Sequence, residues 1–198
     1  MTVLEWFLLA TGFMGAMTLV FAVRKVYRWW KTPLELSVSF SPKGGCTDRV
    51  VEELKRARHE ILMQAYSFTS KPIAQALVDA KTRGVHVDIL LDRSNEDETY
   101  SELNALLGEG LVPYIDAQHA IAHNKVMVID SRTIITGSFN FTHQAEVENA
   151  ENLLVIHGGG ELARRYRQSF LEHKGHCQLA RKNKTAAKHD SDHHKAAA

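Results

Sequence analysis

Cysteine is nearly absent from this chain. Of 198 residues only Cys46 and Cys177 are cysteines, far apart and without a CxxC partner. That rules out a disulfide-stapled scaffold and a cysteine-based zinc module. The two could pair in an oxidising compartment, but in a chain long enough to bury its own core they more often stay free, buried thiols. A strong charge of one sign is missing as well. Formal net charge is +1, and residues 32–177 hold 15 basic against 20 acidic side chains, a net of −5. A tight nonspecific nucleic-acid binder normally carries a basic domain, so binding of that kind is not expected here, although a local basic groove is compatible with these numbers. No internal repeat is visible, and no carboxylate cluster suggests a two-metal site. His189, His193 and His194, with His173 and His176 upstream, sit among Lys and Ala. They could bind metal weakly, but the flanking Lys and Ala residues give them the look of a disordered tail, the basic, His-rich stretch expected over 178–198, so no metal or other cofactor is expected.

What is present falls into three parts. Residues Trp6 to Val23 contain no charged side chain and are followed at once by Arg24, Lys25, Arg28, Trp29, Trp30 and Lys31. As a helix that run would span about 27 Å at roughly 1.5 Å per residue, near the thickness of a bilayer core. Residues 1–31 are therefore expected to be a single-pass transmembrane anchor, with the Trp pair and its basic neighbours at the interface. The basic cluster would place the rest of the chain on the cytoplasmic side. A secretory signal peptide fits less well: the only charge before the run is Glu5, and no small-x-small cleavage site follows cleanly. A buried core helix is the plain alternative.

Between residues 36 and 175 the pattern alternates. Leu36–Phe40, Ile61–Ser67, Val85–Asp92, Val112–Ile115, Lys125–Asp130, Thr133–Thr136 and Leu153–His157 read as strands. Helices are expected from Thr47 or Asp48, either of which could cap, to His59. Others run over Lys71–Arg83, with Pro72 in the first turn and Gly84 closing, over Glu98–Leu107 and over Glu161–His173. Strands separated by helices predict an α/β fold with a mixed, mostly parallel sheet flanked by helices.

The most informative stretch is His123-Asn-Lys125-Val-Met-Val-Ile-Asp130, followed by Gly137-Ser138-Phe-Asn140. With a period of two, His123 and Lys125 leave one face of the motif strand, so an imidazole and an ammonium converge on one spot, an arrangement suited to phosphate chemistry. Asp130 stands at odd offset from both and is better cast as a structural anchor. A His beside a Lys on a strand is usually a solvated edge. Six residue types at fixed offsets weigh against that here.

These residues resemble the HKD signature of the phospholipase D superfamily, His-x-Lys-x4-Asp-x6-Gly-Ser, which the chain fits without a gap from His123 through Ser138. Phe40-Ser41-Pro42, Ala65-Tyr66-Ser67-Phe68-Thr69, Gly137 to Thr142 and Glu151-Asn152 are similar to the small single-motif bacterial endonucleases and the mitochondrial cardiolipin hydrolase group. The resemblance implies a phospholipase D-like fold and a phosphodiesterase working through a phosphohistidine. In that scheme His123 is the nucleophile, Lys125, Ser138 and Asn140 hold the phosphate, Glu151 orients the histidine, and Asp130 and Gly137 are structural. Glu146 and Glu148 are alternatives to Glu151.

One imidazole cannot easily attack phosphorus and protonate the leaving group on opposite sides of an in-line displacement. The chain has no second His-x-Lys motif. The resemblance implies a homodimer whose two His123 side chains share one site; were the unit a monomer, His119 or His143 would be the first candidates for the second acid. The motif does not separate nucleic acid from phospholipid as substrate. A noncatalytic, membrane-tethered phosphate-binding module is the alternative from another class, but simple phosphate binding would not require the histidine.

Overall fold

Two helix crossovers and one long antiparallel run generate the architecture. A computed structural model describes residues 2–30, 34–97 and 101–181. A long helix, α1 (Val3–Trp30), precedes the domain. Then come β1 (Glu35–Ser41), α2 (Cys46–Arg56), β2 (Glu60–Ala65), α3 (Lys71–Thr82), β3 (His86–Asp92), α4 (Leu103–Gly108) and β4 (Tyr114–Asp116). The second half holds β5 (Lys125–Ile129), β6 (Thr133–Gly137), α5 (His143–Val147), β7 (Glu151–His157), α6 (Gly160–Lys174) and β8 (Gln178–Leu179).

The strands form one sheet in the order β1-β7-β6-β5-β2-β3-β4-β8. Side-chain alternation gives it two apolar faces. Met63, Met127, Ile135, Leu153 and Val155 pack on one side with Val50 and Leu54 of α2 and Ile73 and Leu77 of α3. Leu62, Leu90 and Val128 pack on the other against Phe170 of α6, and Ile134 and Ile156 against Ala163 of α6. Helices therefore cover both faces, as the alternating sequence pattern predicts.

The expected parallel majority is corrected. Among the described strands only β2–β3 and β3–β4 pair in parallel, and five pairings are antiparallel. A parallel pairing needs a crossover of about a dozen residues. Only α3 and α4 provide one within the sheet. Between β5 and β6 the chain instead turns at Asp130 and Ser131, both left-handed at φ 51 and 52. Arg132 N–H closes that turn on the Ile129 carbonyl at 3.0 Å, the arrangement of a type I′ hairpin.

Smaller departures have local causes. Neither Thr47 nor Asp48 caps α2. Its N-cap is Gly45 (φ 75), without a side-chain cap. Glu146 of α5 does that work from across the fold, accepting hydrogen bonds from the N–H groups of Gly45 (3.0 Å) and Thr47 (2.7 Å). A carboxylate there also suits the positive end of the helix dipole. The helix expected over 98–107 begins only at Leu103, after a 3-10 turn at Arg93–Glu96; residues 98–100 lie outside the described residues. β8 falls within the stretch expected as tail, and 182–198 lie outside the described residues. Cys46 and Cys177 are both free, and burial, with Glu146 and Asp116 respectively nearby, pushes each thiol up to about 11.

Among the described residues no helix is both long and apolar enough to cross a membrane. Within the run expected to span, the Thr18 hydroxyl donates to the Gly15 carbonyl at 2.8 Å. The side chains of 7–10, within that run, lie outside the described residues. Phe13, Met14, Leu19, Phe21 and Val23 of α1 are each more than half exposed.

At the foot of the motif strand the Asp130 carboxylate accepts N–H bonds from Arg58 (2.9 Å), His59 (2.7 Å) and Glu60 (2.9 Å). Its own N–H donates to the Glu60 carbonyl at 2.9 Å. Replacing Asp130 with Ala strands those donors and places a Cβ-only residue at positive φ, whereas Asn keeps one acceptor and tolerates that conformation. Urea unfolding should show a loss of about 2 kcal/mol for Asp130→Ala and a smaller loss for Asp130→Asn. Equal stability of Asp130→Ala and wild type would contradict this assignment.

Candidate active site

Strand register delivers the motif residues to one edge of the sheet. Lys125 pairs with Ala65 at the end of β2, Gly137 pairs with Leu153, and Glu151 pairs with Ser41 at the end of β1. His123 lies just ahead of β5, where Tyr66 N–H donates to the Asn124 carbonyl at 2.9 Å. Asp130 sits at the other end of the strand, five residues or roughly 17 Å away. It takes no part at this edge.

Tyr66 gathers the His123 imidazole and the Lys125 ammonium. Its ring centroid is 4.5 Å from that of His123, and the Lys125 ammonium lies 4.9 Å above the same ring. Lys125 also donates to the His123 carbonyl at 3.3 Å. The His123 side chain is exposed, while Lys125 is only 7% exposed. Burial pushes the Lys125 ammonium below its ordinary range, and the negative charge of Glu151 opposes that shift. A fixed cation in a dry setting acts on a nearby phosphate more strongly than one in water.

The segment after β6 supplies the neutral groups. Gly137 has φ 147, and a Cβ there would collide with the Asn152 carbonyl. Ser138 and Phe139 N–H both donate to that carbonyl at 3.1 Å. The Ser138 hydroxyl oxygen accepts from Asn152 N–H (3.1 Å) and from its side-chain amide (3.2 Å). Both lone pairs are then in use and the hydroxyl proton is left to donate. Asn140 has a side-chain oxygen buried without a partner. A half-turn of the amide exchanges it for the NH2 group, so this side chain's hydrogen bonds are not used up within the chain.

Of the acidic alternatives, Glu146 is committed to α2 and Glu148 accepts from Gln144 at 3.2 Å on the surface. Glu151 acts electrostatically on Lys125 and accepts from Asn149 at 3.3 Å. His143 lines a separate cleft of about 560 Å³ with Thr47, Thr69, Lys71 and Glu146. His119 joins a different cluster, beside Asp116.

Sequence reasoning missed the supporting polar residues. Asn95, 1% exposed, donates to the carbonyls of Tyr66 (2.6 Å) and Asp92 (3.0 Å) and accepts from Phe68 N–H (3.2 Å), fixing the Tyr66 loop. Asp92 accepts from Ala122 N–H at 2.7 Å and so holds the loop that leads to His123. The available signal was an Asp-x-x-Asn directly after a strand, a common turn former.

A family model described as cardiolipin synthase, PLD-like domain, matches residues 50–174. The phospholipase D of Rickettsia bellii is 45% identical over 140 residues, 71% of this chain and 69% of that protein. The mitochondrial cardiolipin hydrolase of Danio rerio is 32% identical over 125 residues, 63% of this chain and 55% of that protein. The solved structure of Nuc from Salmonella typhimurium, a phospholipase D family member, aligns with a TM-score of 0.73 at 34% identity, over 76% of this chain and 100% of that one. These relatives match along the domain that carries the His123–Lys125 edge, which sets aside the noncatalytic alternative. The chain belongs to the phospholipase D superfamily, in its single-motif group, and is a phosphodiesterase of that type.

Proposed function

We propose that the chain hydrolyses phospholipid phosphodiesters at a membrane surface, through a phosphohistidine formed on His123 in a homodimer with one shared site. The observation that carries the chemistry is the joint seating of exposed His123 and buried Lys125 on Tyr66. His123 attacks phosphorus, the partner subunit's His123 protonates the departing oxygen, and that same imidazole then activates water to release the phosphate. Lys125, Ser138 and Asn140 hold the nonbridging oxygens and stabilise the charge that builds in the transition state. Glu151 sustains the charge of Lys125 and, through the same edge, orients His123.

Support for the lipid comes from the 45% identity to a protein named phospholipase D, from the exposed apolar side chains of α1 with Arg24 and Lys25 behind them, and from a domain with no basic excess. We take α1 as a membrane tether and the domain as facing the cytoplasm, the side to which Arg24, Lys25, Arg28 and Lys31 point by the positive-inside rule. Nucleic acid is the second reading. It is favoured by the half-buried Tyr66 ring beside the histidine, an aromatic side chain of the kind on which a base can stack.

Three outcomes follow. In a purified heterodimer of wild-type and His123→Ala chains, turnover should fall to near zero, whereas independent sites would leave about half by counting intact subunits. The alkaline limb of the kcat/KM profile should lie below the ordinary lysine value of 10.5, since burial disfavours the ammonium form. Glu151→Gln removes the charge that holds it up and should move the limb to still lower pH; a limb that stays put or rises would break the Lys125–Glu151 link. Finally, Leu19→Glu with Phe21→Glu should abolish hydrolysis of phospholipid in vesicles while sparing a soluble phosphodiester, with loss of vesicle flotation. Unchanged flotation would remove α1 as the tether, and cleavage of nucleic acid but not of phospholipid would move the substrate to the second reading.

A further inference from the structure

No zinc-binding spacing stands out in the sequence, yet the fold brings four ligand-type side chains to one point away from Tyr66. Asp116 ends β4 and His119 follows it by three residues; His173 lies in the last turn of α6 and His176 just beyond it. The pairing of β8 with β4, Tyr114 to Leu179 and Ile115 to Gln178, lays the end of α6 over the end of β4. One ligand atom from each of the four side chains lies within 4.8 Å of all the others. The imidazole centroids are 5.1, 5.1 and 5.5 Å apart.

Asp116 Oδ2 is the common vertex. It stands 2.9 Å from His119 Nδ1, 3.6 Å from His173 Nδ1 and 3.5 Å from His176 Nε2. Tetrahedral Zn²⁺ with bonds of about 2.0–2.1 Å places its ligand atoms about 3.3 Å apart, and these three edges bracket that value. Hydrogen bonding alone accounts for His119 but not for the other two imidazoles, whose separations exceed a good N–H···O distance. His176 Nε2 is buried without any hydrogen-bond partner. The second carboxylate oxygen, Oδ1, is occupied by the N–H groups of Gln118 (3.1 Å) and His119 (3.2 Å), so Asp116 is held to offer a single oxygen. The nearby Cys177 thiol donates to the His173 carbonyl at 3.1 Å and is directed elsewhere.

We propose that Asp116, His119, His173 and His176 form a structural binding site for a transition-metal ion of the Zn²⁺ class. Three imidazoles and one carboxylate are a borderline ligand set that suits Zn²⁺ and disfavours Mg²⁺ or Ca²⁺. All four positions are filled by protein, the pattern of a structural rather than a catalytic zinc. The ion would tie α6 and β8 to β4. It would also fix the start of the loop that ends at His123, four residues after His119. The site does not depend on the phosphohistidine scheme.

The test uses the full chain, stripped with chelator and then titrated with Co²⁺ and Zn²⁺. Wild type should develop the visible d–d bands of tetrahedral Co²⁺, saturating at one ion per chain and displaced by Zn²⁺. Its melting temperature should rise with Zn²⁺ relative to chelator. Loss of supporting residues alone costs metal sites about 10–100-fold in affinity, so His173→Ala with His176→Ala should cost more than that. A chain with His189, His193 and His194 all changed to Ala should bind as wild type does. Absence of tetrahedral bands in wild type overturns the proposal whatever the variants do, and so does binding that is lost with the three tail histidines but kept without His173 and His176.

Discussion

The grip of Asp130 on the start of β2 is the constraint on which the rest of the site depends. One carboxylate holds three successive N–H groups, and the backbone of the same residue returns a fourth bond to Glu60. This fixes the pairing of Ile129 with Ile61, and strand periodicity then sets everything above it. Lys125 arrives opposite Ala65, on the face of Met127 and Met63 and at the edge where Tyr66 begins. A slip of one residue would send Lys125 to the α6 face and break its contact with Tyr66. The aspartate of the motif thus sets the register of the His123–Lys125 edge from roughly 17 Å away.

The same register explains why a buried lysine is tolerated. Lys125 keeps partial compensation from the Tyr66 ring face, the His123 carbonyl and the Glu151 charge, and each of those groups stands on a different strand or loop of the edge. In the proposed scheme a cation held in this way is preorganised and need not shed water when phosphate arrives. The histidine, by contrast, is left exposed. In the proposed scheme that is the side chain that meets both the substrate and, across the dimer, its counterpart.

Most strands and helices were legible because their apolar patterns are clean: Val50 and Leu54 on α2, Ile73 and Leu77 on α3, short apolar runs along β2 and β5. Strand direction was not. Whether β6 and β7 run with or against β5 depends on the short turn at Asp130–Ser131 and on pairings between residues far apart in sequence, and a helix-strand alternation cannot report either. The helix expected over residues 6–23 lies within α1. In the site, His123 and Lys125 were readable because they lie on one strand. Asn95 and Asp92 were not, because each acts by bonding backbone groups that are adjacent only once the chain has folded. The Asp116–His119–His173–His176 cluster is the extreme case: two ordinary i, i+3 pairs, more than fifty residues apart, brought together by the packing of α6 on β4 and the pairing of β8 with β4.

The central claim is that phosphorus is attacked twice, first by His123 and then by water. Each in-line displacement inverts configuration, so the number of steps is written in the stereochemistry of the product. Hydrolysis of a P-chiral phosphorothioate diester in ¹⁸O-labelled water, with the configuration of the product determined by ³¹P NMR, reads that number directly. Overall retention is the result expected from a phosphohistidine intermediate. Overall inversion would mean a single attack by water, and His123 would then be a general base and not the nucleophile.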